Sequence, residues 1–391
     1  MKLRVLAFAD YYLPGFKGGG PARSISRIVA GLSEEIEFAV FTRDRDLGEE
    51  TPYSDVAIGE WSEREGVRYF YARPDQLKAR SILAAIREVN PDVIYLNSYF
   101  SRLTRTVLLL RFFGLVRERA ILIAPRGEFS QGALGLKAAK KRLYLKAAAW
   151  SGLHRKVTWQ VSSMYELADT RAAADRHPDY FLKAPDLTHL EAPKDSTPLS
   201  KEPGIARFAF LSRISPMKNL AGAIRMLADV RGSATLTIYG PSEDAAYRAE
   251  CEEAAKSLPP NVDCVWAGPV APEAVASELS RHHFFLLPTL GENFGHVVAE
   301  ALGAGCPVLV SDRTPWRDLD AQGAGWVLPL EEPDSWRRAL QQCLDMDAPA
   351  YQAMRGQARM HISRLADSNI GLESGLQMFQ TAFDHQIIQA A

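Results

Sequence analysis

The sequence predicts an α/β protein built from two Rossmann-like domains. Its 391 residues, 47% hydrophobic and 24% charged, are enough chain for two cores of ordinary size. The chain opens as strand, loop, helix, strand between Leu3 and Thr42, and that order returns between Phe284 and Val310. Short apolar runs closed by Pro or Gly, alternating with stretches of helical spacing, are the pattern of β-α-β units around a parallel sheet.

In chain order, Leu3 to Ala9 reads as the first strand. A loop follows, containing Gly18, Gly19 and Gly20, and then a helix to about Leu32 with Ile25, Ile28, Val29 and Leu32 on one face. Glu37 to Thr42 is the second strand. This opening lacks G-x-G-x-x-G, which disfavours an NAD(P) oxidoreductase. Arg43 to Glu65 is polar and reads as a long loop or irregular excursion. Val67 to Ala72 is a strand, and Ser81 to Val89 is a helix stopped by Asn90-Pro91. Asp92 to Leu96 and Ala120 to Ala124 are strands around a helix, Thr104 to Phe113. Val157 to Val161 closes this half, Ser162-Ser163 caps a helix from Tyr165 to Ala174, and the Pro-rich stretch 179–203 reads as a linker.

Arg207 to Leu211 is the first strand of the second half. Arg213 and Lys218 lie five residues apart in the loop that follows it. Two cations at the carboxyl end of a strand suit a diphosphate leaving group. Thr235 to Tyr239 and Val262 to Trp266 are further strands. His282 and His283 read as helix-end residues rather than metal ligands, since no partner has ligand spacing. Pro333 to Asp345, Pro349 to Leu365 and Ser368 to Ile388 read as helices.

The segment 284–319 organises the chain. Phe284 to Leu287 has the composition of a buried strand, which Pro288 stops. A polar turn runs to Gly295, and from His296 Val297, Val298, Ala301 and Leu302 recur at helical spacing. Glu292 lies in the loop and Glu300 about one turn into the helix, so the two cannot share a helical face as a paired-carboxylate site. Both can reach one elongated ligand lying across the helix start. Asn293, Phe294 and Gly295 offer backbone N–H groups at the positive end of the helix, which suits a phosphate. His296 opens the helix and is a further candidate ligand contact.

The setting P-T-x-x-E-N-F-G-x-x-x-x-E-A-L-x-x-G-x-P-V, with E-x7-E inside it, resembles the donor-sugar motif of glycosyltransferase family 4, retaining enzymes of GT-B fold. S-R-x4-K-N, carrying Arg213 and Lys218, resembles that family's second hallmark. The resemblance implies two Rossmann-like domains facing across a cleft. They would divide as 1–190 for the acceptor domain, 191–204 for a linker, 205–366 for the nucleotide-sugar domain, and 367–391 for a final helix packing back on the first domain. It implies that Glu292 contacts hydroxyls of the transferred sugar, that Asn293, Phe294 and Gly295 hold the diphosphate, and that Glu300 holds the ribose. Arg213 and Lys218 would neutralise the departing nucleoside diphosphate. Gly19 and Gly20 match the Gly-Gly loop that lies over that diphosphate. Relatives carry a His after the strand ending at Ala124, where this chain has Pro125-Arg126-Gly127-Glu128, so Arg126 and Glu128 are further candidate sugar or acceptor contacts, as is His296. The implied substrates are a UDP- or GDP-sugar and a glycan or polyprenyl-diphosphate-linked acceptor, with no cofactor and no metal. The alternatives are another GT-B activity (a phosphorylase or a sugar-nucleotide epimerase) and a non-catalytic nucleotide-sugar binding protein.

Charge and cysteines bound the setting. The four cysteines, Cys251, Cys264, Cys306 and Cys343, show no C-x-x-C pair and read as reduced thiols. No apolar run is long enough for a transmembrane helix, and the short run after Arg4 is broken by Asp10, which argues against a signal peptide. A cytoplasmic protein is the expectation. Net charge is −1, with the excess of Lys and Arg before Asp195 and the excess of Asp and Glu after it. Phe129 to Tyr165 contains no acidic residue. Within residues 136–156, Leu136, Ala139, Leu143, Ala147 and Trp150 recur every three or four residues among Lys137, Lys140, Lys141, Arg142 and Lys146. A basic amphipathic helix with one-signed charge favours an anionic membrane surface, where each basic residue is worth roughly 1 kcal/mol. Nucleic acid is disfavoured, since no aromatic-interleaved RNA motif or helix-turn-helix is present.

Overall fold

The computed structural model describes residues 2–116, 119–135, 138–173, 180–187, 199–242, 244–367 and 370–390. The chain divides into two units, 1–187 with 369–391, and 188–368. Leu136, Lys137 and most of the expected linker, 191–198, lie outside the described residues. Among the described residues no helix is long and apolar enough to cross a membrane.

Among the described residues the first unit is built on eight strands: β1 (Leu3–Phe8), β2 (Ile36–Arg43), β3 (Trp61–Arg64), β4 (Val67–Ala72), β5 (Val93–Asn97), β6 (Ala120–Ala124), β7 (Thr158–Val161) and β8 (Tyr180–Lys183). Their order is β3-β4-β2-β1-β5-β6-β7-β8, and only the β3–β4 pair is antiparallel. Successive residues of a strand face opposite sides of the sheet. Leu6, Phe8, Ile94, Leu96, Ile121 and Ile123 therefore build a core on one face, and Val5, Ala7, Val93, Tyr95, Ala120 and Leu122 one on the other. Burial on both faces explains why these strands read as continuous apolar runs. The expected face of helix Gly20–Leu32, with Ile25, Ile28, Val29 and Leu32, is buried in the second of these cores. Helix Ile370–Ala390 covers the same face, with the Phe379 ring edge-on to Phe38 and Tyr95 at 5.7 and 5.2 Å.

Three readings of the first half need correction. The polar stretch 43–65 is not all loop: Trp61 to Arg64 forms β3, turned back onto β4 through Glu65 and Gly66, both at positive φ. An edge strand half open to water has no apolar run to reveal it. Tyr180 to Lys183, inside the stretch read as linker, adds to β7 as β8. In the basic helix, Ala138–Ser151, Leu145 and Ala148 are buried, while Leu143 and Trp150 of the expected apolar stripe face solvent, 71% and 85% exposed.

Among the described residues the second unit holds six parallel strands: β9 (Ile205–Leu211), β10 (Ser233–Tyr239), β11 (Val262–Gly268), β12 (Phe284–Leu287), β13 (Val308–Ser311) and β14 (Gly325–Leu328). The order is β11-β10-β9-β12-β13-β14. The chain runs outward from β9, then crosses back to start the other half at β12. The strand order thus reverses between β9 and β12, which is where open α/β sheets bind ligands at their carboxyl ends. At the start of this unit Lys201 is buried, its Nζ donating to Glu202 O, Leu344 O and Met346 O at 2.8, 2.9 and 3.0 Å. The end of the expected linker is therefore anchored to the last turn of helix Pro333–Asp345, where a cation is favoured.

Candidate active site

The loops after β9 and β12 leave neighbouring strands and are bonded to each other along their length. Leu290 N–H donates to Met217 O at 2.8 Å and Thr289 Oγ1 to the same oxygen at 3.1 Å. Asn219 Nδ2 donates to Pro288 O at 2.9 Å. The loop after β13 joins them: Ser311 Oγ donates to Thr289 O at 2.6 Å, and Glu292 N–H to Arg313 O at 3.0 Å. Three strand-end loops thus hold one another in place, so the side chains they carry start from a fixed frame.

Lys218 and Glu292, 74 residues apart in sequence, form an ion pair on that frame. Lys218 ends a single 3₁₀ turn, Pro216–Lys218, and Asn219 at φ 55° turns the chain into helix Leu220–Met226. Both charged side chains are mostly withdrawn from water, at 14% and 16% exposure. Their pairing is therefore less screened than at an open surface.

Arg213 leaves the end of β9 exposed and, among the described residues, makes no ion pair. Its loop is tightly placed: Ser212 N–H donates to Tyr239 O at 3.1 Å and Ile214 N–H to Pro241 O at 2.9 Å. Gly240, at φ 133°, is required beside it, because a Cβ there would stand 1.9 Å from Ser212 O.

Gly295 caps helix His296–Ala304 at φ 80°. A Cβ on it would meet Glu292 Cγ at 3.0 Å and Trp316 Nε1 at 3.2 Å, so the backbone of the helix start passes directly against Glu292. Trp316 Nε1 donates to Phe294 O at 2.6 Å, and the Phe294 ring packs between His296 and Trp316 at 4.8 and 5.7 Å. The packing fixes the Asn293-Phe294-Gly295 turn at the positive end of the helix. His296 itself is buried in that packing. Glu300 lies on the second turn of the helix, half-buried. Lys218, Glu292 and the Gly295 helix start are thus brought together, with Arg213 on the same sheet edge.

The first-unit candidates stand differently. Gly19 and Gly20 start helix Gly20–Leu32, with Gly19 at φ 71°. Arg126, expected to face the sugar or the acceptor, is buried instead. It pairs with Asp186, its Nη2 donates to Tyr95 OH at 2.6 Å and Asn97 Oδ1 at 2.9 Å, and its Nε donates to Asn97 Oδ1 at 3.2 Å. Asp186 also accepts from Ser24 Oγ at 2.8 Å. The guanidinium is occupied in tying the carboxyl ends of β5 and β6 to the segment after β8. Asp186 gave no signal in the sequence, because a single Asp in a Pro-rich stretch reads as a solvated loop residue.

Glu128 is half-buried at the carboxyl end of β6 and accepts the Phe100 N–H at 2.8 Å. Burial pushes its carboxyl up to about 7, against the opposing pull of that hydrogen bond and of Lys141. The folded protein therefore binds this proton more tightly than the unfolded chain. That contribution to stability is complete below the ordinary carboxylate value of 4.5 and is lost as pH rises through about 7. Urea unfolding at pH 5 and pH 8 is expected to show a fall on the order of 2–3 kcal/mol in the wild type that Glu128→Gln lacks.

His283 accepts Arg207 N–H on Nδ1 at 3.0 Å, and its Nε2 lies 2.9 Å from Ser200 O. Burial holds its pKa down at about 4, which keeps the ring neutral for that pairing. Among the described residues no group of His, Cys, Asp or Glu side chains is arranged to hold a metal ion.

Solved structures match the whole chain. Sucrose-phosphate synthase from Thermosynechococcus elongatus superposes with a TM-score of 0.70 at 17% identity, covering 100% of both chains. WaaG, a glycosyltransferase involved in lipopolysaccharide biosynthesis, gives 0.66 at 14% identity over 97% of this chain and 99% of its own. The fold is GT-B. Anabaena HepE, solved in complex with UDP and glucose, is a further GT-B neighbour, at a TM-score of 0.67 and 14% identity over 100% of both chains. Residues 193–361 match the family model of glycosyl transferases group 1. The matched segment contains every residue of the Lys218–Glu292 site. A curated relative, D-inositol 3-phosphate glycosyltransferase of Rhodococcus erythropolis, is 30% identical over 121 residues, which is 29% of this chain and 27% of the relative. The chain thus spans about a quarter of that relative's length.

Proposed function

We propose that this protein is a retaining glycosyltransferase of family 4 that moves a sugar from a UDP- or GDP-sugar to a glycan or polyprenyl-diphosphate-linked acceptor. The observation that carries the reading is the Lys218–Glu292 pair, held beside the Gly295 helix start at the strand-order reversal of the segment that the group 1 family model matches. A sugar nucleotide needs three things from a protein: donors for the diphosphate, cations for the charge that grows on it as the sugar–phosphate bond breaks, and an acceptor for the sugar's hydroxyls. The helix start supplies the first. Arg213 and Lys218 supply the second. Glu292 supplies the third, and its pairing with Lys218 holds the carboxylate in one orientation before the donor arrives. In this reading Asn293, Phe294 and Gly295 present the diphosphate-binding amides, and Glu300 on the second turn holds the ribose.

In this scheme the acceptor hydroxyl attacks the face that the phosphate leaves, and the departing phosphate oxygen takes its proton. The C–O bond to phosphate breaks as the new glycosidic bond forms, so configuration is retained and no protein nucleophile is needed. Catalysis is then positioning and charge stabilisation. The GT-B fold is shared with WaaG, described as a glycosyltransferase involved in lipopolysaccharide biosynthesis, and with HepE, solved in complex with UDP and glucose; the role that we propose is bacterial surface polysaccharide assembly at the cytoplasmic side.

A thermal-denaturation screen tests this reading. UDP or GDP, and the sugar nucleotides built on one of them, are expected to raise Tm, while the matching monophosphates have little effect. Equal effects of mono- and diphosphate would count against the diphosphate grip.

A further inference from the structure

We infer that the outward face of helix Ala138–Ser151, together with the end of helix Arg102–Phe112, is a docking surface for an anionic lipid bilayer. The inference concerns the first unit alone and does not depend on the donor assignment in the second. Leu143, Ala147 and Trp150 are spaced by four and three residues, so they fall on one side of the helix. All three face water, and Trp150 is the most exposed large apolar side chain among the described residues. The helix is anchored from its other side, through Leu145 and Ala148. The outward stripe is therefore not a frayed end of the core but a second apolar face on a helix that is already packed.

Lys140, Arg142 and Lys146 are exposed around that stripe, and no acidic residue occurs from Phe129 to Tyr165. A second apolar group lies at the end of helix Arg102–Phe112, where Phe112 and Phe113 are exposed with their rings 5.4 Å apart. Arg111 from that end donates through Nη2 to Lys156 O at 3.2 Å, which ties it to the segment following the basic helix. Exposed Trp, Leu and Phe bordered by cations of one sign are what a helix lying in a membrane interface requires: apolar groups for the acyl boundary and cations for the headgroups. A second copy of this chain is the poorer occupant, since self-pairing would set these cations against one another.

The test uses the full chain and vesicles of phosphatidylcholine with or without phosphatidylglycerol. Wild type is expected to float with the anionic vesicles, to stay behind with the neutral ones, and to be released by high salt. Leu143→Ser combined with Trp150→Ser is expected to lower binding about tenfold. Its Tm should be unchanged, because both side chains lie outside the packed core. Quenching by brominated acyl chains is expected in the wild type and should fall in Trp150→Phe. Flotation of the double variant equal to wild type would overturn the inference, as would binding indifferent to phosphatidylglycerol. So would a concentration-dependent dimer, or binding to a single-stranded oligonucleotide, that forms without vesicles and is lost in the double variant.

Discussion

Replacing Lys218 by alanine is expected to slow release of nucleoside diphosphate from the sugar nucleotide by about a hundredfold or more. The side chain has two tasks in the proposed mechanism. Its charge meets the leaving phosphate, and its bond to Glu292 sets the carboxylate that orients the sugar. Glu292→Gln should cost a similar factor, since an amide keeps the shape but loses the charge that Lys218 holds. Because the two act as one unit, the double variant should be little slower than either single one. The measurement is turnover under saturating donor and acceptor, with Tm followed in parallel. Full multiplication of the two single losses would mean that the residues work independently, against the pairing seen between the loops.

The second large effect is on stability. Arg126→Met is expected to destabilise the first unit by about 3–5 kcal/mol, because it leaves the Asp186 carboxylate buried without its counter-charge. Tyr95 OH and Asn97 Oδ1 would each lose a donor as well. The companion variant, Arg126→Met with Asp186→Leu, should recover much of that loss, since replacing both members of a buried pair is far cheaper than removing one. Urea denaturation of the three proteins reads both effects. A loss in Arg126→Met of under about 1 kcal/mol would place the guanidinium nearer to a surface pair than to the buried clasp described.

The fold could be read from the sequence where burial acts on both faces of a strand. β5, β6 and β12 appear as apolar runs because no alternate residue meets water, and β1 and β9 do so over the later residues that are buried. β3 and β8 could not be read in that way, since an edge strand half open to solvent keeps Ser, Glu and Lys. The site was legible as two separate loops, each with a charged residue at a strand end. Their union depends on β9 and β12 being neighbours, a consequence of sheet order that no local pattern encodes. The supports of the union were hidden for the same reason. Trp316 reaches Phe294 O, and Asn219 reaches Pro288 O, across 22 and 69 residues of chain. In the first unit Arg126 was a candidate ligand contact because it stands where relatives of the resembled family carry a His. Only the tertiary position of Asp186, 60 residues later, turns it into a buried structural charge. The basic helix shows the converse: periodicity located its apolar stripe at Leu143, Ala147 and Trp150, but not the direction in which that stripe points.

Calorimetric titration of UDP and GDP into wild type, Arg213→Ala and Lys218→Ala tests the grip on the paired phosphates without any acceptor. One of the two nucleotides is expected to bind the wild type, with about a tenfold loss in each variant and a weaker affinity in high salt. Unaltered affinity in both variants would contradict the assignment of these two cations to the nucleotide's phosphates.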